Sequence, residues 1–113
     1  MSGVTKHIFE HELDDILSMW NTEIKSVTPL LPRKYTKADI IALLKYYYPH
    51  EWQSVESKYK YYRTKDKYLK RRFGKSRYNM SEPELLIQRV SAFKKIFSES
   101  YKCAHWNEIG RAH

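Results

Sequence analysis

Glycine and proline are scarce in this chain of 113 residues, at 3 and 4, and cysteine occurs once. So few glycines leave no room for a phosphate-cradling loop, a nucleophile elbow or a dinucleotide fingerprint. A lone thiol, Cys103, cannot build a disulfide framework and fits a reducing compartment. No apolar run approaches the ~20 residues that cross a bilayer. The opening MSGVTKHIFEHELDD also lacks the apolar stretch of a secretory signal. These absences lead us to expect a soluble intracellular protein, of cytoplasm, nucleoid or nucleus, with no membrane partner. The alternation that marks strands is hard to find too.

What is present suits helices. Apolar residues make up 42% and aromatics 15%, enough for a core without metal or disulfide support. The expectation is one all-α domain over 1–113, a small bundle of four or five helices. Residues 7–26 place Phe9, Leu13, Ile16, Leu17, Trp20 and Ile24 on one helical face, with Glu10, Glu12, Asp14 and Asp15 away from it. Pro29 and Pro32 bracket a connector whose Leu30 and Leu31 are expected to turn back into the core.

Thr36, with Asp39 three residues on, announces a second helix through a capping-box pattern. Ile40, Leu43, Leu44 and Tyr47 form its inner stripe, widened by Ile41 and Tyr48. Pro49 closes it. Trp52, Val55 and Tyr59 begin a third helix, for which a break near Arg63-Thr64 is expected, and Gly74 ends the segment. Ser81, Pro83 and Glu84 then start a helix whose inner face is Leu85, Leu86, Val90, Phe93, Ile96 and Phe97. A short helix around Trp106 to Arg111 would complete the C-terminal segment, 82–113.

Charge is distributed unevenly along the chain. Residues 33–77 hold 14 Lys and Arg against 4 acids, whereas residues 1–32 hold 2 against 5. Within Lys58 to Arg77 ten cations accompany the single acid Asp66. A helix face that merely meets water mixes signs. A run of one sign costs self-repulsion that an anionic partner relieves, and nucleic acid is the commonest large anion. The candidate binding residues are Lys58, Tyr61, Arg63, Lys65, Lys67, Lys70, Arg71, Arg72, Lys75 and Arg77, with Tyr61 offered to bases or phosphates.

Residues 35–73 resemble a Myb/SANT-type repeat, a three-helix variant of the helix-turn-helix. The resemblance is carried by Tyr35-Thr36, Asp39, Ile40, Leu43 and Leu44, then Trp52 with Val55, Arg63-Thr64, and Arg71, Arg72 and Phe73. Tyr35 stands where the family has Trp, and the segment before Trp52 is short. The resemblance implies a helix-turn-helix-like core over 35–78. A recognition helix from about Lys65 to Arg72 would lie in a DNA major groove, with Lys65, Lys67, Lys70 and Arg71 outward. On this basis the protein is expected to bind double-stranded DNA in preference to RNA, in transcriptional regulation or as an accessory to a DNA-processing machine. The alternative is an adaptor or inhibitor that docks on a protein, or on a second copy, through residues 7–26 and 83–98.

Chemistry has little support in the sequence. His7, Glu10 and His11 spell H-x-x-E-H, a zinc-peptidase pattern with Glu82 or Glu84 as the imaginable third ligand, but a chain this short offers little room for a cleft, and two exposed histidines on a helix are the better reading. Cys103, His105 and His113 lack a partner pair at zinc-finger spacing. The expectation is therefore no catalytic residue, no metal and no cofactor.

Overall fold

The computed structural model describes residues 6–98, and within them every regular element is helical. Helix α1 spans Lys6–Val27, a 3-10 turn covers Thr28–Leu30, α2 spans Lys37–Tyr47 and α3 spans Pro49–Phe73. The short α4 is Pro83–Leu86, followed by a 3-10 turn at Ile87–Arg89 and a last helix, α5, over 91–98. The all-α bundle is as expected. The final helix around Trp106, with Cys103, His105 and His113, lies outside the described residues.

The core follows the helical stripes. Ile16, Trp20, Ile24 and Val27 of α1 meet Ile40, Ile41 and Leu44 of α2, and Trp52 and Val55 of α3, in one apolar cluster. Trp20 and Trp52 pack with ring centroids 5.5 Å apart. Leu86, Ile87, Val90, Ala92, Phe93 and Ile96 close it from the C-terminal side. A second cluster joins Phe9 of α1 to Tyr62 and Leu69 of α3 and to Tyr78. The three rings of Phe9, Tyr62 and Tyr78 pack pairwise at 4.7 to 5.1 Å, mostly edge-on, the arrangement that aromatic quadrupoles favour.

Local signals in the sequence determine several boundaries. The capping box is complete: Asp39 donates its N–H to Thr36 Oγ1 at 3.3 Å, and Thr36 donates its own to Asp39 Oδ2 at 2.8 Å. Pro49 sits in the first turn of α3, where its missing N–H costs nothing. Gly74 ends that helix at φ 79°, a left-handed conformation that side chains resist.

Four expectations are corrected. The break at Arg63-Thr64 does not occur, and α3 is one helix of 25 residues. Trp52, Val55, Tyr62 and Leu69 recur at three- and seven-residue steps, so one straight helix buries all four, and no glycine or proline interrupts it. A separate recognition helix, and the turn before it, are therefore not formed. The single helix expected over 83–98 is divided instead. Val90 is extended (φ −73°, ψ 133°), which lets Leu86, Ile87, Val90 and Phe93 all face inward. The new N-terminus is capped from another element, since Ala92 donates its N–H to Asn21 Oδ1 of α1 at 2.8 Å. Ser81 is not the cap of α4, whose N-terminal neighbour Glu82 makes no side-chain capping bond. Finally, Leu30, Tyr47 and Leu85 are at least half exposed rather than inside.

The apolar faces of residues 7–26 and 83–98 pack into this core, leaving Ile8 and Leu85 as their exposed large aliphatic groups. No helix among the described residues is long and apolar enough to cross a membrane.

Candidate anion-binding site

The basic run of α3 divides into two stripes flanking its buried line. Tyr61, Lys65, Tyr68 and Arg72 recur at four-, three- and four-residue steps. Tyr61 and Tyr68 are about half exposed. The Lys65 ammonium lies 5.2 Å from the Tyr61 ring centre, and the Arg72 guanidinium 5.7 Å from that of Phe73. The other stripe, Tyr59, Arg63, Lys67 and Lys70, together with the Asp66 carboxylate between them, forms one wall of a cleft of about 240 Å³. The opposite wall is the segment after Gly74, through Ser76, Asn79 and Met80.

Asp66 holds that opposite wall in place. Its Oδ1 accepts the backbone N–H groups of Arg77 (2.8 Å) and Tyr78 (2.9 Å), and its Oδ2 that of Asn79 (2.6 Å). A carboxylate taking three N–H groups is a strong anchor, because each bond is charge-assisted. Ser76 Oγ further donates to Asn79 Oδ1, and Asn79 itself has a positive φ of 48°, which asparagine tolerates better than most residues. Tyr78 is thereby delivered into the aromatic cluster, so one acid fixes both the loop path and the packing beneath it.

The proposed cations are not equivalent. Lys58 does not line the cleft and pairs with Glu12 Oε2 of α1 at 3.2 Å. The other oxygen of Glu12 accepts the Tyr62 hydroxyl at 2.6 Å. Burial, then that bond to Glu12, raise the Tyr62 phenol well above its ordinary range, so it stays a donor. Arg63, Lys67 and Lys70 are exposed and share the cleft, and no ion pair among the described residues engages them. Arg71, Arg72, Lys75 and Arg77 are exposed but do not line it. Tyr59, Asp66, Ser76 and Asn79 were missed as site residues. The one usable signal was Asp66, a solitary acid among ten cations.

Two other features gather titratable groups. His7, Glu10 and His11 border an open groove with Leu17 and Arg89, and among the described residues no three His, Cys, Asp or Glu side chains gather as metal ligands. Glu23 is buried on α1, and among the described residues neither its Oε1 nor Nε1 of Trp52 has a hydrogen-bond partner. Burial, and secondarily the charge of Glu51, raise its pKa to about 7. Its interior position keeps it from any large substrate.

Comparison with known proteins redirects the functional reading. A protein of Cytobacillus dafuensis, named as a candidate cyclic ADP-D-ribose synthase, TIR2, is 26% identical over 105 residues, which is 93% of this chain. The chain spans 28% of the length of that curated relative. No family model and no solved structure matches. This likeness corrects the expectation of a DNA-binding, transcription-regulating protein, and with it the adaptor or inhibitor alternative. It likewise corrects the expectation that the chain has no part in enzymatic work. The physical reason is that a cluster of lysine and arginine reports the sign of a partner and not its kind.

Proposed function

We propose that this chain serves as a helical part of a cyclic ADP-ribose synthase, supplying ligand-holding surface to an enzyme whose remaining length lies outside the shared stretch. The observation that carries this reading is the likeness over 93% of the chain to a protein bearing that name. The relative has nearly three quarters of its length beyond the match, ample for a separate reaction centre. The site chemistry is compatible with the role. Cyclic ADP-ribose and any precursor of it carry a diphosphate, and Arg63, Lys67 and Lys70 are cations without carboxylate partners.

The test uses the relative in three forms: intact, with the matching stretch deleted, and with that stretch replaced by this chain. Cyclic ADP-ribose formed by each is measured by mass spectrometry. The reading expects the deletion to lose synthesis and the replacement to restore it. A deletion as active as the intact protein, or a folded replacement as inactive as the deletion, would overturn it.

A further inference from the structure

We propose that the cleft between α3 and residues 75–80 is a diphosphate-binding site, built to take the two phosphates of an ADP-ribose-type ligand. The choice of ligand rests on the synthase reading above. The site itself rests on geometry.

Arg63, Lys67 and Lys70 stand at successive steps of four and three residues, which places their side chains in one row over about two helical turns. Cations at this spacing repel one another, so leaving them unpaired weakens the helix unless an anion bridges them. Two adjacent phosphates match such a row better than one. The bridging anion could not be Asp66, whose two oxygens are already occupied by three backbone N–H groups. Instead Asp66 holds the facing wall at a fixed distance, which is the preorganisation that makes a small site effective. Asn79 offers a side-chain amide from that wall. A volume of about 240 Å³ falls below the usual range for pockets that enclose a whole drug-sized ligand. It seats a diphosphate and leaves the sugars and base outside, with half-buried Tyr59 among the lining residues as the aromatic group nearest to hand for stacking. The companion stripe of Tyr61, Lys65, Tyr68 and Arg72 does not line this cleft.

The test is titration of the full chain with ADP-ribose, cyclic ADP-ribose and inorganic pyrophosphate. Binding is followed by calorimetry and by amide shifts in NMR spectra. The expected result is saturable binding of all three, with shifts concentrated at Arg63, Lys67, Lys70 and Asn79. The variant Arg63→Ala/Lys67→Ala/Lys70→Ala should lose at least about tenfold in affinity. A charge-matched control, Lys60→Ala/Arg71→Ala/Arg72→Ala, should lose less than about threefold, since those exposed cations act only through the screened general field. Equal losses in the two variants, shifts centred on the Tyr61 stripe, or no saturable binding would overturn the site. All six positions are exposed, and circular dichroism checks that both variants remain helical. The two readings fail separately. An active hybrid synthase whose cleft binds nothing overturns the diphosphate site alone, whereas a binding cleft in a hybrid that makes no product overturns the synthase role alone.

Discussion

Asp66 and Asn79 lie thirteen residues apart in the chain, yet the backbone N–H of Asn79 sits 2.6 Å from the Asp66 carboxylate. The same carboxylate takes the N–H groups of Arg77 and Tyr78, so the chain leaving α3 is folded back onto the helix it has just left. Replacing Asp66 with Ala strands these donors and frees Tyr78 from its aromatic partners. Loss of a charged acceptor on this scale costs about 1–3 kcal/mol. Urea denaturation of Asp66→Ala should show that loss, with Asp66→Asn intermediate because one acceptor oxygen remains.

Glu23 makes stability depend on pH. Its folded pKa of about 7 exceeds the ordinary 4.5, so the folded state holds its proton more tightly than the unfolded state. The stabilising effect of that proton is fully present below pH 4.5 and is lost as pH rises through 7. The full difference is on the order of 3 kcal/mol. Denaturation midpoints should therefore fall between pH 5 and pH 8. Glu23→Gln should flatten this dependence and be the more stable protein at pH 8. A wild-type midpoint that rises over that range would contradict the assignment.

The continuity of α3 is open to a direct check. Were a helix to start at Lys65, proline there would occupy a first-turn position and be harmless. Within an uninterrupted helix it removes a hydrogen bond and clashes with the preceding turn, at ~3 kcal/mol or more. Lys65→Pro should accordingly lower the melting temperature sharply and reduce helical circular dichroism.

Much of this fold was legible in local chemistry. Thr36 with Asp39, Pro49, Gly74 and the stripe of α1 each declare an element, because capping, ring closure and burial act over a few residues. The misread places depend on distant partners. Nothing near Val90 announces that Asn21 of another helix will cap α5. Equally, Asp66 shows its importance only once residues 77–79 have returned to it. The site was half legible for the same reason: the cations are visible in order, but the wall that selects three of them is made by a fold-back. Asn21→Ala should cost about 1 kcal/mol through the lost cap, measurable as a lower denaturation midpoint.

The most direct measurement of the central claim is the rate of cyclic ADP-ribose formation by the relative carrying this chain in place of its own matching stretch. That rate is compared with and without Arg63→Ala/Lys67→Ala/Lys70→Ala, at low and at saturating substrate. The account predicts that the triple variant forms product at least about tenfold more slowly at low substrate, with the Lys60→Ala/Arg71→Ala/Arg72→Ala control nearly unchanged. Identical rates for the triple variant and the unaltered chain would contradict it.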